Sequence, residues 1–144
     1  MNAEQRPLRA TGGCLCGAVR YEVRGPLRPV VACHCTQCRR TTGHFLAATA
    51  ACEGDLRVTR GTGLKWYESS AGARRGFCGE CGSTLFWHGS GRDYVSIAAG
   101  SIDGVTGLAL VQHIHVADKG DYYALDDGVA QSARGMLPIA APWT

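Results

Sequence analysis

The 144-residue chain has no apolar run long enough to cross a bilayer as a helix, and its first ten residues, MNAEQRPLRA, lack the apolar segment of a secretory leader. These absences exclude a helical membrane protein and make the cytoplasm the expected compartment. Internal repeats and low-complexity stretches are also missing, which leaves one ordinary domain of a size that buries a core without disulfides. Lysine is scarce: of 15 basic residues only Lys65 and Lys119 are Lys, and the rest are Arg, whose planar fork suits carboxylates and phosphates. No charge of one sign dominates, with 12 acidic residues leaving a formal +3. That balance alone decides nothing about nucleic acid, but the four Asp between 118 and 127 disfavour such a surface, and neither nucleic acid nor membrane is an expected partner.

Cysteine, by contrast, is abundant: there are eight. In a reducing compartment spaced cysteines hold metal more often than they form disulfides. The stretch Cys33-His34-Cys35-Thr36-Gln37-Cys38-Arg39-Arg40 packs three thiols into six positions, a poor pattern for a core and a good one for a soft cation. Cys78-Gly79-Glu80-Cys81-Gly82 is a knuckle in which glycines relieve crowding, and Cys14-Leu15-Cys16 sits in a glycine-rich turn over Thr11 to Gly17.

Around these clusters the chain reads as short strands. Alternation marks Ala18 to Val23 and Leu110 to Val116; Val30 to Ala32, His44 to Cys52, Leu56 to Thr59, Leu64 to Glu68, Arg74 to Phe77, Ser83 to His88 and Tyr94 to Ala98 follow, separated by glycine turns. Thr36 to Thr42 predicts a single short helical piece, stopped by Gly43. Regular short strands indicate a mainly β, antiparallel architecture. Residues 1–10 are expected as a flexible leader, 11–128 as one zinc domain, and 129–144, with Pro138 and Pro142, as an irregular tail.

Structural zinc takes four protein ligands, whereas a reactive site keeps one position open. Cys14, Cys16, Cys78 and Cys81 make one closed site, and Cys33, Cys35 and Cys38 are then one ligand short. Other partitions, such as Cys35 and Cys38 with Cys78 and Cys81, remain open from spacing alone.

The order C-x-C, C-H-C-x-x-C-R-R, F-C-x-x-C-G-S-x-L-F and a strand carrying His113-Ile114 resembles the glutathione-dependent formaldehyde-activating enzyme family, which includes centromere protein V. The resemblance covers roughly Gly12 to Val116. It implies a β-tent fold of coiled antiparallel sheets stapled by zinc, a structural zinc on Cys14, Cys16, Cys78 and Cys81, and a second zinc on Cys33, Cys35 and Cys38. It further implies a carbon–sulfur lyase of the S-(hydroxymethyl)glutathione synthase type, in which a thiol such as glutathione, held as thiolate by the second zinc, adds to formaldehyde or a related small electrophile.

On this reading Cys33, Cys35 and Cys38 are catalytic, and Arg39, Arg40 and His113 are candidate contacts to substrate. His113 and His115, two apart, would project from one strand face. His34 alternates away from its cysteine neighbours, His44 is a candidate fourth zinc ligand, and Cys52 reads as a buried small hydrophobe. Trp66, Tyr67, Phe86 and Trp87 read as core or groove wall. Two other readings stand beside this one: a zinc-stapled binding or architectural domain without catalysis, and the same thiol chemistry on another electrophile. Oligomeric state stays open.

Overall fold

The structure, a computed structural model, describes residues 2–139 and 143; Met1 of the expected leader and Pro142 of the expected tail lie outside the described residues. Eleven strands and one helix follow in chain order. They are β1 (Ala10–Gly13), β2 (Arg20–Val23), β3 (Val30–Cys33), α1 (Thr36–Thr42), β4 (Leu46–Cys52), β5 (Leu56–Arg60), β6 (Leu64–Ser70), β7 (Ala73–Cys78), β8 (Thr84–Gly89), β9 (Tyr94–Ala98), β10 (Leu110–Ile114) and β11 (Ala130–Gln131). The fold is mainly β, as expected. No helix of the described chain is long and apolar enough to cross a membrane.

Two sheets form: a small one in the order β1-β2-β5 and a large one in the order β11-β10-β3-β4-β9-β8-β7-β6. Most pairings are antiparallel, as the glycine turns between consecutive strands favour. Strand β10 is the exception, lying parallel to both β3 and β11. That pairing matters for function, because it sets Ile114 beside Cys33.

The core lies between the sheets. Alternation on β2 turns Tyr21 and Val23 inward, and alternation on β9 does the same for Val95 and Ile97. They meet Val19, Leu27, Leu85 and Phe86 in one buried cluster that also takes in Cys14 and Cys78. The Tyr21 and Phe86 rings meet edge-on with centroids 5.3 Å apart. Each such side chain stabilises the fold by roughly 1.5–3 kcal/mol through burial.

Three local expectations are corrected. The Thr11 to Gly17 turn is shorter than expected, because β1 takes Ala10–Gly13 and pairs with β2. Cys52 is exposed and not buried: it is the last residue of β4, still paired with Tyr94 of β9, and the chain turns away from the core after it at Glu53–Asp55. Phe86 is core and Trp66 and Trp87 line surface cavities, but Tyr67 is exposed on β6, the last strand of its sheet. The guanidinium of Arg74 lies 4.1 Å over the Trp66 ring.

Both ends of the described chain return to the sheets. Arg6 pairs with the buried Asp55 at 2.9 Å. On the other side, Gln112 of β10 donates to the Leu137 carbonyl at 3.1 Å and accepts from the Leu137 N–H at 2.8 Å.

Candidate metal centres

Four sulfurs converge where the turn after β1 meets the turn after β7. Cys14 Sγ lies 3.7 Å from Cys16 Sγ, which lies 3.8 Å from Cys78 Sγ, and the sulfur of Cys81 completes the group within 4.8 Å. Sulfurs on one tetrahedral zinc, with bonds of about 2.3 Å, sit roughly 3.8 Å apart, so this donor set fits the ion. Polar neighbours already favour the thiolates: the Val19 N–H donates to Cys14 Sγ at 3.2 Å, and the Ser83 hydroxyl lies 3.2 Å from Cys81 Sγ. That hydroxyl, with backbone N–H groups of Ser83 and Cys16, pulls the Cys81 thiol down to about 5. The pairing of C-x-C with C-x-x-C is therefore the one the fold makes. Gly63 permits it, because a Cβ there would stand 2.9 Å from Cys78 Sγ.

The second group forms at the exit of β3. Cys33 is the last residue of that strand, Cys35 is the N-cap of α1, and Cys38 lies in its first turn. The N-cap geometry folds the chain back on itself, so that the Cys38 N–H donates to Cys35 Sγ at 3.3 Å. Gly43, with φ of 84°, closes the helix in the left-handed conformation that glycine adopts freely. The three sulfurs lie within 4.8 Å of one another. Among the described residues no histidine, aspartate or glutamate joins them. Three convergent soft donors fit zinc with one coordination position left for an outside ligand.

Charge at this trio is unevenly held. Its neighbours Cys33 and Cys38, then the N–H groups of Cys38 and Gln37, hold the Cys35 thiol far below the usual range, whereas Cys35, Cys38 and burial push Cys33 far above it. The buried guanidinium of Arg75 donates to Cys38 Sγ from both Nη atoms at 3.6 Å and to Gln37 Oε1 at 3.3 Å. It is a cation set directly against the sulfurs.

The trio opens on a cavity of about 580 Å³ lined by Arg28, Gln37, Arg75, Trp87, Arg92 and Tyr94, with Ser96, His115 and Met136 among its further walls. A larger groove of about 790 Å³ runs beside the four-cysteine group, but its charged side chains, Arg20 and Asp103, pair with one another. The smaller cavity is the one that meets the three-cysteine group.

The other candidates fall as follows. Arg39 is half-buried and Arg40 exposed on α1, and neither lines the cavity. His44 shares a hydrogen bond with Tyr122 Oη at 2.8 Å and stays out of the sulfur group. Strand β10 ends at Ile114, earlier than the alternation predicts, because His115 turns left-handed with φ of 53°. His113 and His115 therefore part: His115 lines the cavity, while His113 is buried away from it.

His113 belongs instead to a chain of hydrogen bonds behind the trio. Asp127 Oδ2 accepts from His113 Nε2 at 2.7 Å, His113 Nδ1 lies 2.9 Å from His34 Nε2, and His34 Nδ1 bonds to Tyr123 Oη. Because an ionised carboxylate only accepts, the tautomers follow in sequence: His113 donates from Nε2, His34 from Nε2, and Tyr123 from its hydroxyl. Burial, with His113, His44 and Lys119 adding, brings His34 down to about 4, so its ring serves as a neutral link. His34 does point away from its cysteine neighbours, and this is where it goes.

Sequence reasoning passed over Arg28 and Arg75. Arg28 carried a signal, a lone cation inside the apolar stretch Leu27 to Ala32; Arg75 carried none apart from its place three residues before Cys78.

The chain is similar to known proteins over most of its length. The sequence profile of the glutathione-dependent formaldehyde-activating enzyme family matches residues 9–118. An uncharacterized lyase of Schizosaccharomyces pombe is 29% identical over 114 residues, which is 78% of this chain and 82% of that protein. A crystal structure of a Rhodobacter sphaeroides protein superposes with a TM-score of 0.55 at 30% identity, covering 67% of this chain and 91% of the other.

Proposed function

Because the chain belongs to the glutathione-dependent formaldehyde-activating enzyme family, we propose that it is a carbon–sulfur lyase that joins a glutathione-like thiol to formaldehyde or a related small electrophile. The family and the lyase-named relative both support a lyase-type activity. The observation that carries the reading is the three-sulfur group, without a fourth described protein ligand, at the wall of a cavity large enough for a tripeptide side.

Cys33, Cys35 and Cys38 would hold the zinc of this site, and Cys14, Cys16, Cys78 and Cys81 the structural one. Zinc on three thiolates would supply a soft cation that keeps an incoming thiol deprotonated at neutral pH. The sulfur of that thiol then attacks the carbonyl carbon: a C–S bond forms, the C=O π bond opens, and the proton given up by the thiol ends on the oxygen. No electron is gained or lost. His115, the one imidazole on the cavity wall, is our assignment for carrying that proton. Its left-handed backbone is held by its own N–H, which donates to the Arg134 carbonyl at 2.6 Å. Arg75, against Cys38, offsets the extra negative charge of three thiolates. The cavity walls then do the positioning.

Exchange NMR tests this directly, by following glutathione and formaldehyde interconverting with S-hydroxymethylglutathione. Zinc-loaded wild type is expected to exchange faster than buffer, Cys35→Ser at the buffer rate, and His115→Asn at least tenfold slower than wild type while remaining folded. Wild type no faster than buffer would rule out this chemistry and favour a zinc-stapled binding domain or another electrophile.

A further inference from the structure

The cavity wall carries an imbalance of charge that thiol binding alone does not remove. Three arginines line it, Arg28, Arg75 and Arg92, and no aspartate or glutamate does. Among the described residues none of the three forms an ion pair. Arg75 is committed to Cys38 and Gln37. Arg92 is exposed and sits 6.0 Å from the Tyr94 ring. Arg28 is different, being only 4% exposed and facing no anion.

A guanidinium has five N–H donors, and a buried one is stabilised only when they are met by strong acceptors. Arg28 Nη2 donates to the Ala48 carbonyl at 3.0 Å, and Nε reaches the Pro29 carbonyl at a long 3.3 Å. The described partner of Nη1 is the thioether sulfur of Met136 at 3.5 Å, a weak acceptor. Burying a cation against a thioether is costly by itself. It makes sense when a carboxylate can take the sulfur's place, and Met136, an unbranched and half-exposed side chain, is suited to swing aside.

The charges count the same way. With zinc on three thiolates the centre carries about −1, and three arginines bring the cavity to about +2. A bound thiolate leaves about +1, and one carboxylate on the same ligand brings it to neutrality.

We propose that Arg28 is a specificity-determining residue, whose Nη1 edge receives a carboxylate carried by the thiol ligand. This rests on the reading of the three-cysteine site as a thiol site, and it says which thiols that site prefers: anionic ones with a carboxylate some atoms distant from the sulfur.

Titration calorimetry of the zinc-loaded full chain with glutathione and with glutathione diethyl ester separates the two claims, since both ligands offer the same thiol. Wild type is expected to bind glutathione roughly 10- to 100-fold more tightly than the diester, the range of a buried charge-assisted hydrogen bond. Arg28→Gln should lose that preference while binding the diester within twofold of wild type, which also shows that the variant is folded. Arg28→Lys should recover part of it. Equal binding of the two ligands by wild type overturns the proposal without recourse to any variant and leaves the thiol site standing. So does a preference lost in Arg92→Gln but kept in Arg28→Gln. If wild type binds neither ligand, the thiol reading itself fails and this proposal fails with it.

Discussion

His113 spends both ring nitrogens inside the protein, one on His34 and one on Asp127, and that decides its role. With both nitrogens taken and the ring buried, it has none left for a substrate, so its part is to hold His34, and through His34 the backbone between Cys33 and Cys35. Replacing it with Leu leaves the buried His34 Nε2–H without an acceptor. A loss of about 1–3 kcal/mol is expected from that unsatisfied donor, read as a lower midpoint in denaturant with unchanged slope. The second readout is more telling: zinc affinity of the three-cysteine site should fall, while the four-cysteine site keeps its metal. A neutral midpoint would mean that the chain of hydrogen bonds does not position the trio.

Residue types were legible in the sequence and residue neighbours were not. The seven clustered cysteines declared themselves by spacing, because three thiols in six positions have no use in an ordinary core. Arg39 and Arg40 drew notice by standing next to Cys38, yet a helix turns about 100° per residue and carries both away from the sulfurs. The cation that does meet Cys38 is Arg75, brought from β7 by pairing between strands far apart in the chain.

At the scale of elements, alternation located most strands within a residue or two and Gly43 ended the helix where expected. Pairing was beyond it. Nothing in the local pattern of Leu110 to Ile114 says that β10 lies parallel to β3, since periodicity fixes which face a residue occupies and not which strand lies beside it. His115 escaped for a related reason: an alternating sequence reads as continuing strand, and only the tail strand β11 beside β10, with backbone bonds from residues 132–134, turns it out.

The contact between the two sheets has its own test. Tyr21 of β2 is fully buried, packed on Phe86 of β8, with its hydroxyl 2.6 Å from Ser101 Oγ. Burial pushes its pKa up to about 12. Between pH 10 and 12 the unfolded chain has lost this proton while the folded chain retains it, so stability is full below pH 10 and falls as pH rises through 12. The expected loss is roughly 2–3 kcal/mol. Tyr21→Phe should flatten that alkaline limb in equilibrium unfolding; an unchanged limb would place the alkaline sensitivity elsewhere.

Over the whole molecule, the fold places three convergent sulfurs and a buried cation in one cavity by drawing on residues from Arg28 to Met136. The four-cysteine group joins two turns at the margin of the core, with Cys14 and Cys78 buried and Cys16 exposed, whereas the three-cysteine group stands at the start of α1 and lines the cavity. On the proposed function the first group serves stability and the second chemistry. Removing a sulfur from the second should therefore spare the first.

Metal content per chain, measured on wild type and on Cys35→Ser with and without excess glutathione, tests that division most directly. Two zincs are expected in wild type and one in a folded Cys35→Ser that no longer binds glutathione. A wild type whose second zinc ignores glutathione, or a Cys35→Ser that keeps both metals, would contradict it.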